Sequence, residues 1–232
     1  MITVRKSEAR GAANHGWLDT KHSFSFGDYL DRTQMNFRSL RVLNEDIVAP
    51  EMGFPLHPHK NAEILTYIVS GELTHTDSLG HREIIKRGDV QYTNAGSGIE
   101  HSEINQHSSE AVHLLQIWIL PKDQNTTPAY SYLHFDEEQK KNALCLIATS
   151  KEIENTVRLN QSAEIFASIL EKGNSLTQTI PNSWGAWLQL ISGSVSVNGT
   201  ELEKGDAAKI EQVLEIKIEA KENSEFLLFN LE

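Results

Sequence analysis

The chain has 232 residues, 39% hydrophobic and 23% charged, with 32 acidic against 21 basic side chains and a net charge of −11. That length suits one large domain or two small ones with a substantial core, and the composition is ordinary for a globular protein. The acidic balance disfavours a phosphate-binding surface, since the longest basic cluster is only Lys86-Arg87. No apolar run reaches the roughly 20 residues needed to span a bilayer. The stretch Met1 to Glu8 lacks the apolar centre of a signal peptide, and a single Cys145 admits no intrachain disulfide. The expectation is a cytoplasmic protein with neither a membrane nor a nucleic acid as partner.

In chain order, Ile2-Thr-Val4 is β-prone. Phe24 and Phe26 then alternate with serines, as in a half-buried strand. Trp17, His22 and these phenylalanines line a pocket or fill one end of a barrel. Leu40 to Val48 reads as the next strand, with a turn at Asn44 to Asp46. From residue 64 onwards short strands alternate with turn signals: Ile64 to Val69 before Ser70-Gly71, Glu72 to Thr76 before Asp77-Ser-Leu-Gly80, and His81 to Ile85 before Gly88-Asp89. Val90 to Thr93 precedes Asn94-Ala-Gly-Ser-Gly98, and Val112 to Leu120 is a nearly continuous apolar strand stopped by Pro121. Many short strands at even spacing predict an antiparallel barrel or sandwich. Pro121 to about Tyr132 reads as a linker, and Asp136-Glu-Glu-Gln139 as the N-terminus of a short helix.

The second half repeats the first faintly. Ile68-Val-Ser-Gly71 corresponds to Leu190-Ile-Ser-Gly193, and Lys86-Arg-Gly88-Asp89 to Glu203-Lys-Gly205-Asp206, at offsets of 122 and 117 residues. Two β domains are therefore expected, residues 1–133 and 134–232.

Histidine marks the first of them as the chemical one: all ten histidines lie between His15 and His134. In an extended strand, residues i and i+2 share a face. His57 and His59 then project together, as do His101 and Glu103. Three imidazoles and a carboxylate on two strands form a donor set for a divalent first-row metal. Counting back from Gly193 and on from Gly205 puts Thr179, Pro181, Gly185, Ile218 and Ala220 where the first copy has His57, His59, Glu63, His101 and Glu103. The second copy is thus expected to keep the turns and lack the ligands. Glu63, at an even offset from the histidines, is expected to hydrogen-bond a ligand histidine from outside the metal shell. His75 and His81 are read as solvated flanks of a hairpin, and Cys145 as an inert, largely buried thiol.

His57-x-His59-x3-Glu63, Gly71, Gly88-Asp89 and Gly96-x-Gly98-x2-His101 resemble the two sequence motifs of the cupins. Asn14-His-Gly-Trp-Leu-Asp19, His22-Ser-Phe-Ser-Phe26, Gly96-Ser-Gly98-Ile-Glu-His101-Ser-Glu103 and Gln116-Ile-Trp118 narrow the resemblance to the pirin family of bicupins, and within it to bacterial members with quercetin 2,3-dioxygenase activity. The resemblance implies an all-β chain of two tandem cupin (jelly-roll) barrels. It also implies one metal held by His57, His59, His101 and Glu103, iron above all, with Zn, Ni, Mn, Co and Cu within reach of the donor set. The implied activity is ring-opening oxidation of a flavonol such as quercetin by dioxygen, with release of carbon monoxide. Glu103 is the candidate base for the 3-hydroxyl proton. The alternative from the same family is a metal-containing, redox-sensing regulatory protein that acts through a protein partner.

Overall fold

Alternating side chains and frequent glycine turns give strands along nearly the whole chain. The computed structural model describes residues 1–232. Through the first half the strands are β1 (Ile2–Arg5), β2 (Gly11–Asn14), β3 (Leu18–His22), β4 (Leu40–Val48), β5 (Gly53–His59), β6 (Glu63–Ser70), β7 (Glu72–Asp77), β8 (Arg82–Lys86), β9 (Asp89–Asn94), β10 (Ile99–Ile104), β11 (Val112–Ile119) and β12 (Ala129–His134). The chain divides into two units, residues 11–134 and residues 135–232 with residues 1–10.

In the unit 11–134, a seven-stranded sheet runs in the order β12-β9-β6-β11-β4-β3-β2 and a four-stranded sheet in the order β5-β10-β7-β8. Ile68, Val112 and Leu114 from the larger sheet pack with Leu73 and Ile85 from the smaller one. This is a two-sheet jelly roll, the fold expected from the strand pattern. Because the two sheets share this core, each presents one face inward, and the inward face of β5, β10 and β7 carries the polar side chains described below.

The other unit has the same plan. Its seven-stranded sheet includes β1, and its four-stranded sheet is built from Ser175–Thr179, Glu215–Ala220, Ser194–Val197 and Thr200–Glu203. Gly71 and Gly193 both have φ +79°, and a Cβ at either would lie within 2.7 Å of a backbone oxygen, so the repeated Ser-Gly turn is a shared close approach.

Residues 1–10 depart from the expected division at 133/134. β1 pairs antiparallel with Ala207–Ile210, Lys6 Nζ meets Asp206 Oδ2 at 2.7 Å, and the Ser7 amide donates to Asp206 Oδ1 at 2.8 Å. The N-terminus thus completes the second unit's sheet, where its edge ladder and an acidic partner are available.

Three local expectations change. β4 is continuous through Asn44 to Asp46, because each polar residue has a partner: Asn44 bonds His22, Asp46 accepts from Thr20, and Glu45 meets His113. Ser23 to Ser25 is a buried irregular segment rather than a strand, with the Ser23 amide bonded to Leu43 and the Ser25 amide to Gln34, and Phe26 forms an isolated bridge with Tyr29. The expected linker contains β12, which pairs with β9 along its whole length. The short helix is present at Glu137–Lys140, with the Asp136/Gln139 capping box formed.

Candidate metal centre

β5 and β10 pair with His101 opposite His57 and Ile99 opposite His59, then Glu103 opposite Phe54. One extra residue therefore sits on β5 between these pairs, a bulge in the edge strand of its sheet. Pro55 and Pro58 are tolerated there because an edge strand has a ladder on one side only. The bulge turns Phe54 to the same side as His57 despite their odd spacing, and both line one cavity.

The three imidazoles form a triangle, with ring centroids 4.7, 4.5 and 4.7 Å apart for the pairs His57–His59, His57–His101 and His59–His101. His57 Nδ1 donates to the Pro55 carbonyl at 2.7 Å. A carbonyl can only accept, so Nδ1 of His57 carries a proton and the neutral ring has its lone pair on Nε2. That lone pair faces His101 Nε2 at 3.1 Å. Burial, then the neighbouring His101 and His57, lower the His59 pKa to about 4; burial, then His57 and His75, lower that of His101 to about 3. Both rings are neutral near neutral pH, the form that ligates a metal.

Glu103 is 2% exposed. Thr66 Oγ1 donates to its Oε1 at 3.1 Å and Gln116 Nε2 to its Oε2 at 2.8 Å. A carboxylate oxygen lies within 4.8 Å of ring nitrogens of both His101 and His75. The expected donors thus share one sheet face: the three histidines form one potential metal-holding group, while Glu103 groups with His101 and His75. Converging neutral imidazole nitrogens with a carboxylate beside them fit a divalent transition ion well. Glu63 is fully buried on β6 and accepts the Tyr92 hydroxyl at 2.7 Å; burial and then this carboxylate push the Tyr92 pKa up.

Beside the imidazoles is a cavity of about 300 Å³. The Trp118 ring stands edge-on to His59 at 4.9 Å and to Phe26 at 5.4 Å. His22, Asn44, Thr20 and Asp46 add polar groups to its lining. Of the aromatic residues singled out near the N-terminus, Phe26 and His22 line the cavity, Trp17 packs on Phe54, and Phe24 is core.

His75 is where the sequence reading fails most plainly. It is fully buried, directly opposite Glu103 on β10, with Asp77 opposite His101. His75-Thr-Asp77 has the same i, i+2 spacing as the two ligand pairs, and that signal was available in the sequence. His81 is the partly exposed member, its ring bonded to Asp77 at 3.0 Å.

In the other unit, Ser175–Thr179 pairs with Glu215–Ala220, setting Leu176 opposite Ile218 and Gln178 opposite Ile216. Ile216 and Ile218 are buried in an apolar core against which Leu176 packs.

Comparison with known proteins places these features. The family model of pirin matches residues 3–119, and that of the quercetinase C-terminal cupin domain matches residues 146–231. The chain belongs to the pirin family. It is 40% identical over 231 residues to the quercetin 2,3-dioxygenase of Escherichia coli, covering 100% of this chain and 99% of that one. A pirin-like protein of Caulobacter vibrioides is 36% identical, with 98% of each chain covered. The crystal structure of the bacterial pirin YhhW from Escherichia coli in complex with nickel(II) superposes with a TM-score of 0.95 at 38% identity, covering 100% of this chain and 99% of that one. The two jelly rolls are accordingly the two cupin domains of a pirin. No helix is long and apolar enough to cross a membrane.

Proposed function

We propose that this pirin is a metal-dependent dioxygenase that opens the heterocycle of a flavonol such as quercetin and releases carbon monoxide. The observation that carries the reading is the triangle of imidazoles beside a buried carboxylate, opening onto a cavity walled by aromatic rings. His57, His59, His101 and Glu103 would hold the ion, with Fe(II) the first candidate and the nickel of the E. coli relative a precedent for another. Bound there, the metal supplies Lewis acidity that makes a coordinated hydroxyl easier to deprotonate.

The protein's own part is positioning and proton transfer. Trp118, Phe26 and Phe54 offer flat and edge surfaces for a fused aromatic substrate and keep water from its faces. The Glu103 carboxylate receives the 3-hydroxyl proton of the flavonol. Thr66 and Gln116 keep the carboxylate oriented while it holds that proton. Dioxygen then places one atom on each carbon flanking C3. C3 leaves with its own oxygen as carbon monoxide, and the ring opens to a phenolic ester and a carboxyl group. The proton held by Glu103 returns to the new carboxylate, so atoms and charge balance. Glu63 lies outside the ligand set in this reading; the bond it shows is to the Tyr92 hydroxyl rather than to a ligand histidine. The lone Cys145, half-buried and with its pKa raised by burial, fits a protein of the reducing cytoplasm.

The test is turnover of quercetin under air by protein loaded with Fe(II), and separately with Ni(II). Loss of the visible absorbance of quercetin with one carbon monoxide per molecule consumed is the expected result. Metal-loaded protein that leaves quercetin intact overturns the reading.

A further inference from the structure

His101 has a tautomer problem, and its solution involves a residue outside the ligand set. The inference rests on the metal site proposed above. His57 Nε2 is a lone pair, because its Nδ1 proton is committed to the Pro55 carbonyl. His101 Nε2 lies 3.1 Å from it, as two nitrogens aimed at a shared ion would. To ligate through Nε2, His101 must carry its proton on Nδ1. His101 Nδ1 is buried and without a hydrogen-bond partner on the protein. A buried N–H left that way is costly.

The other orphan nitrogen nearby is His75 Nδ1, also buried and unpartnered. The two rings meet edge to face at 5.3 Å, and a ring nitrogen of each lies within 4.8 Å of the other. The protonation of His75 follows from Asp77. That carboxylate takes His75 Nε2 at 3.0 Å, the Leu79 amide at 2.9 Å, and the His81 amide and ring at 3.1 and 3.0 Å. Such a set of donors requires a carboxylate that accepts throughout. His75 therefore carries a proton on Nε2, and in its neutral form offers a lone pair at Nδ1. Its ring plane is held by stacking on Tyr130 at 4.6 Å and 19°. Tyr130 also stacks on His81, so the acceptor is braced on its face as well as at its edge.

We propose that His75, held by Asp77 and Tyr130, is a positioning residue that accepts a hydrogen bond from His101 Nδ1 and so stabilises the one His101 tautomer able to bind metal. The proposal requires the two Nδ1 atoms to reach hydrogen-bonding distance when the ion is bound. Histidine ligands are commonly oriented by an acceptor at the far nitrogen. Here that acceptor is a second imidazole, itself fixed by a carboxylate. His75 contributes no donor atom to the metal and makes no contact with substrate.

Two measurements on the full chain decide it. The first is Ni(II) affinity by competition with a chelator. His75→Phe keeps the stacking surface, removes the acceptor, and is expected to weaken Ni(II) binding about 10- to 100-fold. His75→Asn, whose amide oxygen stands near the position of Nδ1, is expected to recover most of that loss. A folded His75→Phe protein with wild-type affinity overturns the proposal. Wild-type protein that binds no Ni(II) instead overturns the metal site itself, a separate outcome. The second measurement needs no substitution. In Zn(II)-loaded protein with 15N-labelled histidine, NMR should find the proton of His101 on Nδ1 and that of His75 on Nε2. A His75 proton on Nδ1 overturns the proposal even if the Phe variant fails to fold.

Discussion

Replacing Glu103 with Gln keeps its size while removing a charge and a proton acceptor. Metal-loaded Glu103→Gln should turn over quercetin about 10²- to 10⁴-fold more slowly, the usual range for a general base. Metal content, measured by elemental analysis, should fall far less, because three imidazoles remain. Equal turnover in the metal-loaded variant would remove Glu103 from proton transfer. The histidines carry a second prediction. The folded-state pKa values of His59 and His101, about 4 and about 3, lie below the unfolded value of 6.5. Each then contributes stability that is fully present above pH 6.5 and is lost as pH falls through the folded values, since the unfolded chain takes up the proton first. The melting temperature of metal-free protein should fall steadily from pH 6.5 towards pH 4. A His59→Gln His101→Gln variant should fall less over the same interval.

At the scale of elements, the metal centre depends on how closely β5 approaches β10. A Cβ on Gly53 would lie 2.2 Å from the Glu103 carbonyl oxygen and 2.7 Å from Ile104 Cα, both backbone atoms that cannot swing aside. Gly53→Ala must therefore lever β5 away at the bulge that aims Phe54 and His57. The expected cost is about 1–3 kcal/mol of stability, typical of overpacking, together with weaker metal binding. Denaturant unfolding and Ni(II) competition measure the two effects. Gly80→Ala is the control for a glycine substitution that costs stability away from the site, because Gly80 has φ +96° on an open turn with nothing within 4 Å. It should cost stability and leave Ni(II) affinity unchanged.

At the scale of the whole molecule, one metal per chain is expected, lost in a His57→Ala His101→Ala variant and unchanged by substitutions at Leu176 or Ile218. Two equivalents per chain would point to a second centre. The N-terminus gives an independent prediction. Deleting residues 1–10 removes β1 from the sheet of the unit 135–232, together with the Lys6 and Ser7 contacts to Asp206. That unit should lose stability, seen as earlier unfolding of the Trp187 fluorescence. Metal stoichiometry should remain one, since every proposed ligand lies within residues 11–134.

Much of this protein is local in origin and legible without a fold. A period of two is a property of any extended chain, so His57 with His59, and His101 with Glu103, could be paired from spacing alone. The Ser-Gly turns at Gly71 and Gly193 need left-handed backbone that glycine provides, so the repeat could be read from them. The Asp136/Gln139 capping box is likewise a local hydrogen-bond pattern. What the tertiary structure alone decided is how strands distant in sequence pair. Asn44 and Asp46 look like a turn until β3 supplies His22 and Thr20 as partners. Ile2 to Arg5 looks like part of the first domain until Ala207–Ile210 offers it an edge. His75 looks like a solvated hairpin residue until β10 is set against β7, burying it opposite Glu103. Burial and hydrogen-bond partners at such positions are set by register across the sheet, which no local window contains.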